Sequence, residues 1–353
     1  MAYIWDPDKK HVTSEGMSYG MVIAVQLDKK AEFDRLWRWA KAYMQNQSGP
    51  YRGYFAWECR ADGTKLDQKP APDGDQYLAL SLFFAAGRWG NGTGINYQAE
   101  AQAILDTMLQ SSNSAFNQGN HLVSFGTGAT FTNPSYHLPA FYELWSRWAD
   151  KNKSFWSAAA VGSRQFFKDT AGHSPYGLMP DYAAFNGSAT DPWGECVNGQ
   201  RNASGACVGG QLDPDYHKHF RFDAWRVASN VAFDYAWFAA DAWALEEGNK
   251  LLEFFYSQGV NYPNQYRLDG AVCPPVVWTN SCTHSVGHVA MNAVAGLAAT
   301  TGRASSFVNE LWSIGEPGGR PFPQGQFRYY DAMLYMLGLL HVSGNFRIYA
   351  PPQ

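Results

Sequence analysis

Apolar residues recur at three- and four-residue spacing along most of the chain. Leu36, Trp37, Ala40 and Tyr43 form one such stripe, and Tyr330, Met333, Leu337 and Leu340 form another. The pattern predicts helices over 16–26, 31–45, 76–88, 97–110, 139–149, 154–170, 223–246, 250–257, 285–301, 305–312 and 327–340. Strand-like alternation is scarce, and His121-Leu122-Val123-Ser124-Phe125 is the best short example. About eleven helices joined by long Gly/Pro-rich loops do not describe a simple bundle. They describe helical hairpins set in a ring, an all-α architecture without an exact repeat. No linker divides the chain, so residues 1–353 are expected to form a single domain. The longest loop, Gly172 to Phe220, is rich in Gly, Pro, Asp and Asn, and a loop of that length is usually functional.

Three acids stand at predicted helix starts. Glu15 lies in Thr13-Ser14-Glu15-Gly16-Met17-Ser18-Tyr19-Gly20-Met21, among small residues that leave room for a bulky substrate. Asp73 lies in Ala71-Pro72-Asp73-Gly74-Asp75, and Asp223 in Phe222-Asp223-Ala224-Trp225-Arg226. The plain reading of an Asp there is an N-cap. Glu15 is harder to dismiss, because Ser14 can cap and leave it spare. Arg226, one turn after Asp223, would hold that carboxylate ionised; an ordinary salt bridge is the alternative. Glycosidic hydrolysis needs this kind of set, one carboxyl protonated and one ionised. A helix start favours the ionised partner. An apolar surround from Met17, Tyr19 and Met21, or a neighbouring Asp, would keep Glu15 protonated.

Other chemistries fit less well. Gly16-Met17-Ser18-Tyr19-Gly20 has the letters of a nucleophile elbow, but no parallel-sheet pattern surrounds it. There is no P-loop and no dinucleotide fingerprint. His217-Lys218-His219 and His284-x-x-x-His288 lack the glutamate of H-E-x-x-H, so no metal and no cofactor is expected.

Composition narrows the partners. Charged residues are 16% of the 353 and the formal net charge is −4, with no basic patch to hold nucleic acid. No apolar stretch approaches the roughly 20 residues of a membrane helix. Aromatics reach 16%. That is enough for both a large core and a cleft of flat rings for sugar faces. Of five cysteines, Cys196 with Cys207 and Cys273 with Cys282 each flank a short loop, as disulfides of an exported protein would; Cys59 is then buried and reduced. Five free thiols are the competing reading. Met1-Ala2-Tyr3-Ile4-Trp5 is not a signal peptide, so export implies a targeting segment already removed.

The run from Ser14 to Met21 resembles the acid motif of glycoside hydrolase family 8. The resemblance continues in order through Ala71–Asp75, Pro134-Ser135-Tyr136-His137-Leu138-Pro139, Phe222–Arg226 and Arg328-Tyr329-Tyr330-Asp331. It implies an (α/α)6 barrel and an inverting hydrolase. Glu15 would be the general acid and Asp223 the general base. Asp73 would hold the sugar at the cleavage point, Arg226 would support Asp223, and Tyr136 would place water or ring. Trp57, Trp193, Tyr329 and Tyr330 are the stacking candidates. Members of that family carry a further helix before the acid motif, whereas fourteen residues precede Glu15 here, so a barrel short of its first helix is allowed for.

The Ala71-Pro72-Asp73-Gly74 and Tyr136–Pro139 wording is closest to the xylan branch of that family. Some members of that branch cut within the chain. Others release xylose from the reducing end of short oligomers, their cleft blocked by a Leu-His-Pro loop. This chain has Thr283-His284-Ser285 there, retaining His284 as a substrate contact but not the proline. The expectation is a secreted, monomeric endo-β-1,4-xylanase. The alternatives are a reducing-end exo-oligoxylanase, for which a cytoplasmic location is expected, a β-1,4-glucanase, and a non-catalytic carbohydrate-binding protein.

Overall fold

The computed structural model describes residues 1–92, 94–272, 282–314 and 328–352. Among them are eleven α-helices, and six form a closed inner ring. These are α1 (Ser14–Gln26), α3 (Pro72–Trp89), α5 (Pro139–Trp148), α7 (Trp225–Phe238), α9 (Val286–Ala295) and α11 (Arg328–Val342). Side-chain contacts run round the ring. Tyr19 of α1 meets Tyr77 of α3 at 4.8 Å, and Tyr77 meets Phe141 of α5 at 4.9 Å. Phe141 stacks on Phe233 of α7 at 5.8 Å, and Trp225 of α7 stacks on His288 of α9 at 5.7 Å. Asp331 of α11 accepts from the N–H of Gly287 on α9 at 2.9 Å. Tyr329 of α11 closes the ring by donating to Glu15 of α1.

Five helices pack outside: α2 (Lys30–Trp39), α4 (Tyr97–Met108), α6 (Lys153–Ala171), α8 (Trp243–Ser257) and α10 (Ala304–Ile314). Each packs against the inner helix before it in the chain. Their apolar stripes face inward, as in α4, where Ala101, Ile104, Leu105 and Met108 are buried. Of the inner helices, α1, α3 and α9 are buried nearly all round, α9 along its whole length. Among the described residues the inner ring has six helices and the outer ring five, so the position left without a helix is an outer one. Met333, Tyr335 and Leu339 of α11 remain only partly buried.

Several expectations need correcting. The helix expected over 223–246 is broken: a 3₁₀ turn (Phe222–Ala224) precedes α7, and Ala239, at φ 47°, separates α7 from α8. The helix expected over 31–45 ends as a π-turn at Ala40–Met44. His121–Phe125 is no strand and makes one isolated bridge, Phe116 to Val123. Strands do exist, all two or three residues long. β1 (Val12–Thr13), β2 (Glu58–Cys59) and β3 (Lys65–Asp67) form one antiparallel sheet. β4 (Phe131–Thr132) pairs with β5 (Ala183–Ala184). Within the long loop, β6 (Glu195–Val197) pairs with β9 (Gln211–Asp213), and β7 (Gln200–Arg201) with β8 (Cys207–Val208). Cys196 and Cys207 are disulfide-bonded and Cys59 is a free, buried thiol. The expected Cys273–Cys282 bond involves Cys273, which lies outside the described residues. No described helix is long and apolar enough to cross a membrane.

Candidate active site

One end of the ring opens into a cavity of about 420 Å³ whose walls include Glu15, Asp73 and Asp223. Thr13 caps α1 by accepting from the N–H of Gly16 at 3.0 Å, not Ser14 as the sequence suggested. This leaves Glu15 in the first turn, facing the cavity. Asp73 follows Pro72 at the start of α3 and accepts from the N–H of Gly74 at 2.8 Å, and the N-cap position belongs to Ala71. Asp223 sits in the 3₁₀ turn ahead of α7 and accepts from Asn133 Nδ2 at 2.9 Å.

Arg226 joins all three acids from beneath. Its Nη1 donates to Glu15 Oε2 at 2.9 Å, to Asp73 Oδ2 at 2.8 Å and to the Tyr19 hydroxyl at 2.6 Å. Its Nη2 lies 3.1 Å from Asp223 Oδ2 and donates to Ser135 Oγ at 2.9 Å. Two Nη1 protons face three oxygens, so a protonated Glu15 would relieve the crowding. Glu15 Oε2 and Asp223 Oδ2 thus bind the two terminal nitrogens of one guanidinium, which sets the two carboxyls near each other.

Burial acts on two of the acids. Burial pushes the Glu15 carboxyl up to about 8; Arg226 opposes this, Asp73 and Asp223 add to it, and the Tyr329 hydrogen bond opposes it. The Glu15 side chain is still 19% exposed toward the cleft. Burial also raises Asp73, against the pull of Arg226. The Tyr329 hydroxyl donates to Glu15 Oε1 at 3.0 Å and lies 2.8 Å from Thr13 Oγ1. Tyr19, expected to form an apolar wall around Glu15, instead turns its hydroxyl to Arg226.

Among the expected substrate contacts, Trp57, Tyr136, Tyr329 and Tyr330 line the cavity. Arg226 lies behind the acids, 3% exposed, and is not part of the wall. Trp193 stands outside the cavity, half exposed, against Phe125 and Phe131. His284 is also outside it, bonded to the Tyr262 carbonyl at 2.9 Å and paired with Glu310 at 3.1 Å. Ser18 is buried within α1 and donates to the Glu15 carbonyl, so there is no nucleophile elbow. His288 is packed among Phe220, Trp225 and Phe255, and no group of three metal-ligating side chains occurs among the described residues.

Sequence reasoning missed Asn133, which stands just before the Pro134–Pro139 segment already singled out, and gave Ser135, inside that segment, no role of its own. It also missed Asp181 and Tyr182, which line the cavity from within the long loop, and weighed His217, beside them, only as a metal ligand. The length of that loop was the one hint at the first two.

A family model for glycosyl hydrolases family 8 matches residues 5–344. The chain belongs to this family. Glycosyl hydrolase family 8 relatives resemble it over nearly its whole length. A reducing-end xylose-releasing exo-oligoxylanase, Rex8A of Paenibacillus barcinonensis, is 40% identical over 98% of this chain and 85% of the relative. A reducing-end xylose-releasing exo-oligoxylanase of Halalkalibacterium halodurans is 38% identical over 99% of this chain and 84% of the relative. Among solved structures, a catalytic mutant of a family 8 xylanase from Teredinibacter turnerae, in complex with xylohexaose, has a TM-score of 0.85 at 39% identity, covering 99% of this chain and 86% of that one. The family's (α/α)6 barrel is thus the frame of the ring, and the protein is a glycoside hydrolase.

Proposed function

We propose that the protein hydrolyses β-1,4-xylosidic bonds with inversion, releasing xylose from the reducing end of xylo-oligosaccharides. The observation that carries the hydrolytic reading is the pairing of a Glu15 carboxyl held up to about 8 with an Asp223 carboxylate on the same guanidinium. Glu15 gives its proton to the bridging oxygen as the bond to the anomeric carbon breaks. Asp223 takes a proton from the water whose oxygen forms the new bond to that carbon from the opposite face. Asp73, 3% exposed and fixed by Arg226 and Gly74, is placed to accept sugar hydroxyls at the cleavage point. Trp57, Tyr136, Tyr329 and Tyr330 supply the ring faces.

Xylo-oligosaccharide as substrate, and release from the reducing end, rest on the two exo-oligoxylanase relatives at 40% and 38% identity. They favour this over the endo action expected from the sequence. Endo action remains a second reading. His284 is paired with Glu310 and is not part of the cavity wall, Thr283 and Ser285 stand in place of the flanking Leu and Pro, and the Teredinibacter relative is a xylanase. First products from xylohexaose decide between them. Xylose plus the pentamer supports reducing-end release; a mixture of mid-length products supports endo action. Proton NMR should show the newly formed reducing end of the shortened oligomer as the α-anomer first, and a β-anomer appearing first at that end would sink the inverting assignment.

A further inference from the structure

The loop between α6 and α7 presents groups that the bond-breaking chemistry does not use. Asp181, Tyr182 and His217 line the cavity beside Asp223. His217 Nδ1 lies 2.6 Å from Asp181 Oδ2, and its ring stacks on Tyr182 with centroids 3.9 Å apart. Asp181 is 4% exposed, and its Oδ1 has no hydrogen-bond partner among the described residues. A buried acceptor without a donor is costly, so it calls for one.

The aromatic surface continues outward from Tyr182. Trp193 meets Phe125 at 5.2 Å, Phe131 at 5.1 Å and Tyr182 at 6.1 Å, all edge-on. It nevertheless keeps 52% of its surface exposed. The plain explanation is a lid over Phe125 and Phe131. The backbone around it is fixed more firmly than a lid requires. The Asp191 carboxylate accepts from the N–H groups of Trp193 at 3.2 Å, Gly194 at 2.7 Å and His217 at 2.9 Å, joining both ends of the loop. Arg201 of β7 donates to the Trp193 carbonyl at 2.6 Å and the Gly194 carbonyl at 2.9 Å. The β6–β9 and β7–β8 pairings and the Cys196–Cys207 disulfide hold Arg201's hairpin in turn. A half-open indole is thus anchored one ring beyond the cavity wall.

We infer that Asp181, Tyr182, His217 and Trp193 form a distal subsite for a neutral xylosyl unit of the substrate chain. This deepens the proposed function and rests on it. Trp193 offers its face to the apolar side of the pyranose, and Asp181 accepts one of its hydroxyls. If xylose is released one unit at a time from the reducing end, a single sugar lies on the leaving side. The distal subsite then lies on the non-reducing side. It alters rate with chain length and leaves the product unchanged.

The test compares kcat/KM on xylohexaose with kcat/KM on xylotriose. Trp193→Ala should lower that ratio about tenfold, mostly through KM on the hexamer. The paired change Cys196→Ser with Cys207→Ser should lower it in the same direction by a smaller factor. General loss of folded protein lowers both rates together and leaves the ratio alone, so an unchanged ratio overturns the subsite. Calorimetric titration of xylohexaose into Glu15→Gln, with and without Trp193→Ala, gives a readout without turnover; equal affinities also overturn it. A wild-type chain that neither binds nor cleaves xylo-oligosaccharides overturns the underlying functional reading, and the subsite falls with it.

Discussion

Glu15, Asp73 and Asp223 were legible because each stands beside small residues just before an apolar run, and that is a local property. What could not be read is that one guanidinium serves all of them. Arg226 is three residues from Asp223 but reaches Asp73 and Glu15 only because the ring brings α1, α3 and α7 together. The Thr13 cap was missed for a smaller reason: Ser is the somewhat better cap by type, and only the local φ/ψ, extended at Thr13, decides for its neighbour. The acid's behaviour with pH follows from its surroundings. Burial outweighs the pull of Arg226, so Glu15 should keep its proton up to about pH 8. Activity needs that proton. Thus kcat/KM on xylo-oligosaccharides should fall as pH rises through about 8. Glu15→Gln should lose roughly 10²–10⁴-fold in kcat and show no alkaline limb in what remains. A wild-type profile flat to pH 10 would assign the donor elsewhere.

At the scale of elements, the expected helix over 223–246 shows how sequence patterning misleads. The apolar spacing continues across 239–242 without Gly or Pro to mark a break. Yet Ala239 adopts a left-handed conformation and α8 sets off separately. The break lets Glu247 of α8 pack under the segment carrying Asp223. There it lines a small apolar void with Phe220, Ala224, Val227 and Gly177. Glu247 is 1% exposed, and Lys250 Nζ, at 3.5 Å, is its ion-pair partner. Burial pushes it from 4.5 to about 7, against Lys250. A raised carboxyl holds its proton in the folded state more tightly than in the unfolded chain. Its contribution to stability is therefore present in full below about pH 4.5 and is lost as pH rises through about 7. Glu247→Gln removes that dependence. The variant should gain on the wild type by up to roughly 3 kcal/mol between pH 4.5 and pH 8. Urea midpoints at the two pH values check it, and an equal difference at both would show that Glu247 does not titrate on folding.

For the whole molecule, the ring was foreseeable from helix count and loop length, and its closure was not. Closure depends on residues more than three hundred positions apart: Tyr329 of α11 lies over Gly16 of α1 and donates to Glu15. The acid therefore sits at the seam of the barrel, and packing at the seam is coupled to its chemistry. A methyl group at Gly16 would lie 2.7 Å from the Tyr329 ring and hydroxyl, closer than carbon and oxygen tolerate. Gly338 of α11 is a second close approach, where an added methyl group would lie 2.9 Å from Ala290 Cβ of α9, but it lies away from the acids. Both Gly16→Ala and Gly338→Ala should cost roughly 1–3 kcal/mol of stability through overpacking. Only Gly16→Ala should also move Tyr329 off Glu15. The Tyr329 hydrogen bond holds the Glu15 carboxyl down, so losing it should carry the alkaline limb of kcat/KM to higher pH. The Gly338 variant, measured at a temperature where it is folded, should keep the limb where the wild type has it. Limbs that coincide in all three proteins would mean that the seam holds the barrel together without tuning the acid.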